Sequence, residues 1–137
     1  MPEQLLSLRV ERRLSEVGRV NDEIAFFWRM HQLPEDTRLD VLLSIEEALS
    51  NVIRHGGAGS EITVRASLDR DAIEVQLEDD GPAFDPLSYP PPRLDLPLQE
   101  RQRGGLGIHL VQCLMDRVKY ERVQDRNRLT MVKRLST

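Results

Sequence analysis

Three short stretches carry residue types that could do chemistry on a phosphate. Glu47, Asn51 and His55 are spaced four apart. At about 100° per residue they fall on one side of a helix. A carboxylate there can orient or deprotonate an attacking group, and an amide oxygen is a neutral hard ligand for magnesium. The second stretch runs Asp79, Asp80, Gly81, Pro82, Ala83, Phe84, Asp85. Asp79 is on offer to accept a hydrogen bond from a base's exocyclic amine, and Gly81 lets backbone approach a ligand closely. The third holds Gly104, Gly105 and Gly107. Glycines that open a helix leave free N–H groups and the positive dipole end for phosphate. Each stretch alone has a plainer reading: a solvated helix face, a turn, a glycine cluster. The glycines are no Walker A loop, because no Gly-Lys-Ser/Thr follows. Nor are they a dinucleotide fingerprint, since the third glycine is missing and a proline-rich loop precedes them.

The elements that position these residues follow from periodicity. Residues 5–10 are short, apolar and bounded by charge, which predicts a strand. Leu14, Val17, Val20, Ile24 and Phe27 mark an amphipathic helix running to about residue 31. Pro34 breaks it, and Asp36 or Thr37 can cap a second helix over 37–55 that stops at Gly56 and Gly57. On that helix Leu39, Leu42, Ile45, Leu49, Val52 and Ile53 form a wide apolar arc, with Glu46 at its edge and Glu47 outside it. Residues 61–68 and 73–77 alternate strictly, and the tight connection at 69–71 makes them an antiparallel hairpin.

Residues 86–103 hold five of the eight prolines and little periodicity. A loop this long inside a compact domain is usually functional. A helix follows from Gly104 to about Met115, then strands near 117–123 and 128–135. The order is strand, two helices, two strands, loop, helix, two strands. That predicts a two-layer α/β sandwich: a mixed, mainly antiparallel sheet with helices on one face.

The chain of 137 residues suits one domain, with 39% apolar and 31% charged residues. A net charge of −4 without a basic run gives no electrostatic footprint for nucleic acid. No stretch approaches the roughly 20 apolar residues that span a bilayer, and the N-terminus does not read as a signal peptide. Cys113 is the single cysteine, so a reducing, cytoplasmic setting is expected, with the thiol packed in the core. His31, His55 and His109 have no metal-ligand spacing, and His55 is expected to cap or pack. Phe26, Phe27 and Trp28 cannot all face one way, so some must be core.

In this order and spacing the three stretches are specific. Glu47 and Asn51, Asp79 to Pro86, and Gly104 to Val111 resemble the N, G1 and G2 boxes of the GHKL ATPases. Their wording looks most like the anti-sigma-factor serine/threonine kinases, and the resemblance extends over nearly the whole chain. It implies ATP with Mg2+ as cofactors. By position, Glu47 matches the residue that activates the attacking hydroxyl, Asn51 the magnesium ligand, and Asp79 the adenine-reading carboxylate. Gly81 matches the glycine beside the base, Gly105 and Gly107 the phosphate-loop glycines beside Gly104, and Thr130 a threonine near the adenine. The stretch 86–103 matches the ATP lid, where Arg101 and Arg103 lie within reach of a terminal phosphate. Ala83 departs from the second glycine of the G1 box; if that position needs φ > 0, the loop is strained.

The resemblance implies a homodimer that holds a sigma factor or phosphorylates a STAS-domain anti-anti-sigma protein, with bound nucleotide biasing the choice. Two alternatives stand beside it. One is a non-catalytic module of the same fold that sequesters a partner. The other is the catalytic domain of a histidine kinase, against which stands the short stretch of about 35 residues before the N-box helix.

Overall fold

The computed structural model describes residues 3–55, 61–88 and 105–135. Strand β1 (Glu3–Val10) leads into helices α1 (Glu16–Met30) and α2 (Glu35–His55). A hairpin of β2 (Ile62–Asp69) and β3 (Ala72–Asp79) follows, then a 3-10 turn at Pro86–Ser88. Helix α3 (Gly105–Leu114) precedes a second hairpin, β4 (Arg117–Val123) and β5 (Arg126–Arg134). The expected order and fold class hold. The strands lie in the order β1-β2-β3-β5-β4, and every pairing is antiparallel.

Alternation decides which face of the sheet is covered. Ile62, Val64 and Ala66 on β2, Ile73, Val75 and Leu77 on β3, and Leu129 and Met131 on β5 are all buried. Val20, Ile24 and Trp28 of α1 and Val41, Ile45 and Leu49 of α2 complete that core. The other face keeps polar side chains, among them Glu74, Gln76 and Glu78. Glu78 is clamped there by Arg65 and by Arg128 at 3.1 Å. Burial pushes its carboxyl up, but the hydrogen bonds from the two arginines outweigh this and hold it below the ordinary value of 4.5. The β4–β5 turn puts both Gln124 (φ 51°) and Asp125 (φ 61°) in the left-handed region. That twist fits the flanking strands.

Several local expectations shift. Helix α1 starts at Glu16, which leaves Leu14 outside it and exposed. Trp28 and Phe27 are core, whereas Phe26 is exposed. Trp28 also donates its indole N–H to the Pro34 carbonyl at 2.8 Å, fixing the turn between the helices. Helix α2 starts at Glu35, so Asp36 and Thr37 lie in its first turn and do not cap it; Thr37 donates to the Pro34 carbonyl at 3.2 Å. Leu39 and Glu46 are both exposed. The buried arc of α2 is centred on Val41, Ile45, Ala48 and Val52, because α1 and α3 pack on it as well as the sheet.

Cys113 is a plain correction. It is exposed, not packed in the core. Helix α3 buries Ile108 and Val111, and Cys113 falls on the opposite side, 3.7 Å from the His109 ring one turn earlier.

Candidate functional site

Helix α2 presents Glu47 and Asn51 one turn apart toward the first turn of α3. Asn51 is buried, and its Nδ2 has no hydrogen-bond partner among the described residues. Leaving a buried donor unsatisfied costs roughly 1–3 kcal/mol. Gly107 stands over Glu47: a Cβ added there would lie 2.5 Å from Glu47 Oε2. Glu47, Asn51, Gly107, Ile108 and Arg54 line a cavity of about 110 Å³. Arg54 was not singled out from the sequence; it adds a positive charge to the wall. What keeps α3 here is packing of Ile108 and Val111, plus Lys133, which donates to the Leu114 carbonyl at 2.7 Å and pairs with Asp40 of α2 at 3.1 Å.

The second cluster sits at the end of β3. Asp79 is buried, and its Oδ2 accepts from the Gly81 N–H at 3.0 Å. The same oxygen takes Asn127 Nδ2 and the Arg12 guanidinium, each at 3.4 Å. Asn127 faces Asp79 directly across the β3–β5 ladder. Its amide also donates to the Pro82 carbonyl at 2.8 Å and accepts from the Phe84 N–H at 3.1 Å and the Tyr120 hydroxyl at 2.5 Å. Arg122 holds the Gly81 carbonyl at 2.8 Å. Ala83 is not among the non-glycine residues with positive φ, so the G1 loop is unstrained there. His55 packs, as expected, stacking on Phe84 with centroids 5.4 Å apart. The cavity beside Asp79 measures only about 10 Å³ and is lined by Val52, Phe84, Tyr120 and Asn127 among others. That holds no more than a water.

The structure therefore brings Glu47, Asn51 and Gly107 together, and separately gathers Asp79 and Gly81. Gly105 opens α3. Gly104, Arg101, Arg103, most of the 86–103 loop and the helix stop at Gly56 and Gly57 lie outside the described residues. Thr130 is a correction. It pairs with Gln76 on the face away from Asp79 and lines an outer hollow with Glu74, Gln76 and Lys119. The alternation of β5 gives the reason: Leu129 and Met131 are buried, so Thr130 must point the other way. Asn127 and Arg12 are the residues missed. The first could have been found from its register with Asp79. Arg12 carries no signal, since 67 positions separate it from Asp79.

A larger cleft of about 460 Å³ at the start of α1 is lined by Arg9, Glu16, Arg19 and Glu61. Its charges are paired with one another, Arg9 to Glu61 at 2.6 Å and Arg19 to Glu16 at 2.8 Å. That leaves the α2–α3 pair as the better candidate. The unpartnered Nδ2 of Asn51 and the glycine-opened N-terminus of α3 suit phosphate oxygens, and the Asn51 amide oxygen and the Glu47 carboxylate are hard donors that suit magnesium.

Known proteins bear on the family and the fold of this chain. The chain is 29% identical over 117 residues to the serine/threonine-protein kinase BtrW of Bordetella bronchiseptica, covering 78% of this chain and 81% of that one. It is 32% identical over 87 residues to the serine-protein kinase RsbW of Listeria innocua, covering 58% and 55%. The aligned part thus spans about half the length of the Listeria relative. Among solved structures, the RsbU and RsbW domains of Rv1364c from Mycobacterium tuberculosis superpose with a TM-score of 0.68 at 14% identity, over 98% of this chain and 32% of that one. The histidine kinase AdeS of Acinetobacter baumannii gives 0.53 at 16% identity, over 98% and 70%. At such identities these two likenesses speak to the fold. The resemblance read from the three boxes is borne out, and a model described as the histidine kinase-like ATPase domain matches residues 10–133. With most of its length matched, the chain belongs to the histidine kinase-like ATPase domain family.

Proposed function

We propose that this protein is an ATP-dependent protein serine/threonine kinase that serves as an anti-sigma regulatory factor. In this reading it phosphorylates a STAS-domain anti-anti-sigma protein, acts as a homodimer, and so controls the availability of a sigma factor. The observation that carries the reading is the pairing of Glu47 with a buried, unsatisfied Asn51 one turn on, under the first turn of α3. The relatives named as serine or serine/threonine kinases support it.

Asn51 would hold magnesium through its amide oxygen, and the ion would supply charge neutralisation as the terminal phosphoryl group passes from ATP to the partner hydroxyl and ADP leaves. Glu47 orients the serine or threonine hydroxyl of the partner and takes its proton. The N-terminal turn of α3, with Gly105 and Gly107, offers N–H groups to the phosphates. Asp79 accepts from the exocyclic amine of adenine, with Gly81 beside the ring. Positioning and electrostatics do most of the work in such transfers.

A second reading is a sequestering module of the same fold that binds nucleotide and transfers nothing. One experiment separates the two. Mg-ATP is titrated by calorimetry, then labelled ATP is incubated with the chain and a STAS-domain protein. Label on a partner serine or threonine, lost in Glu47→Ala while nucleotide affinity stays, is expected. Binding without transfer would leave the sequestering module standing. No binding would sink both.

A further inference from the structure

Arg12 lies outside all three sequence boxes, yet it touches Asp79 of one cluster and the end of α2, the helix that carries the other. It lies two residues past the end of β1, and the backbone just before it is held in place. The Glu11 N–H donates to the Glu16 carboxylate at 3.1 Å, and Arg19 donates to the Arg9 carbonyl at 2.6 Å. From that anchored foot the guanidinium donates to the Val52 carbonyl at 2.7 Å and the Ile53 carbonyl at 3.4 Å. These carbonyls belong to the last turn of α2, immediately after Asn51. A cation at a helix C-terminus is favourable there. The same guanidinium reaches Asp79 Oδ2 at 3.4 Å, with its side chain only 15% exposed.

A rigid planar fork of five donors can hold a helix end and a carboxylate at one fixed separation, whereas a compact ammonium on a flexible stem fixes it less well. We propose that Arg12 is a strut that fixes the spacing between the base end of the site, at Asp79, and the metal–phosphate end, at Asn51. The proposal rests on the nucleotide-binding reading above and adds a positioning residue to it. ATP joins a base to a triphosphate. Joined ligands gain over their halves only when the two subsites are held at the matching distance. Asp79 and Asn51 sit on different elements, and Arg12 is bonded to both of those elements.

The test compares three probes on the whole chain: Mg-ATP, adenosine, and magnesium tripolyphosphate, each titrated by calorimetry or by chemical-shift changes. The variants are Arg12→Ala and Arg12→Lys, each first checked for a native thermal transition. The lysine variant keeps charge at the helix end, so it carries the test if the alanine variant does not fold. A strut predicts that Mg-ATP affinity falls about tenfold or more in both variants. The affinities for adenosine and for magnesium tripolyphosphate should stay within about twofold of wild type, because neither half spans the gap. Unchanged Mg-ATP affinity in Arg12→Lys would overturn the strut and leave a helix-capping charge. Loss of adenosine affinity in step with ATP would also overturn it, since Arg12 would then act only through the Asp79 carboxylate. Failure of the wild-type chain to bind Mg-ATP would instead strike the nucleotide reading itself.

Discussion

Gly107 and Glu47 approach so closely that a single methyl group on Gly107 would come within 2.5 Å of the Glu47 carboxylate. The glycine is therefore more than an opening for phosphate. It sets where the carboxylate of α2 can rest.

Gly107→Ala should push that carboxylate aside while the fold survives, because the clash is with the end of a flexible side chain. Misplacing a reacting group by about 1 Å can cost on the order of 10²-fold in rate. Phosphotransfer should fall by about that much. In the Glu47→Ala background the same substitution should cost little more, since its effect runs through a group already removed. Additive losses in this double-mutant cycle would place the role of Gly107 elsewhere.

Asn51→Leu should separate function from stability. It removes a buried amide whose Nδ2 lacks a partner and replaces it with an apolar group of similar size. Urea unfolding should show stability unchanged or raised by about 1 kcal/mol. Magnesium-dependent nucleotide binding should be lost. A clear drop in stability would mean that the amide is satisfied in the folded protein.

Asn127→Ala should have the opposite character. The side chain ties Asp79, the Pro82 carbonyl, the Phe84 N–H and Tyr120 into one network. Its removal orphans several groups, and a loss of roughly 2–3 kcal/mol is expected. Amide exchange at Phe84 should quicken more than exchange in β2. If the loss stays below about 0.5 kcal/mol, water replaces the network and Asn127 is no brace.

Glu78 gives a pH signature on the face away from the site. Its carboxyl is held below 4.5 in the folded chain. A lowered folded pKa means that its contribution is complete above the ordinary carboxylate range and is lost as pH falls through the lowered value. Wild type should be more stable than Glu78→Gln at pH 7, and the gap should narrow below about pH 4.5. A gap that is constant from pH 7 to pH 3 would show that the two arginines do not depend on the charge.

Much of this protein was legible in the order of its residues. Period-two alternation marked β2 and β3 and told which of their side chains share a face. In β5 it is the observed burial of Leu129 and Met131 that sets Thr130 apart, against its assignment by resemblance. Helical spacing put Glu47 and Asn51 one turn apart, which is a local fact that any α-helix enforces. What sequence could not decide was which face meets which partner. Cys113 reads as core until α3 is docked by Ile108 and Val111, and Leu39 reads as core until α1 and α3 claim the other sides of α2. The bracing of Asp79 depends on contacts 48 and 67 positions apart, from Asn127 and Arg12. Periodicity records the repeat of one element at a time. Strand register and helix docking are settled only when the elements bury their apolar faces against each other.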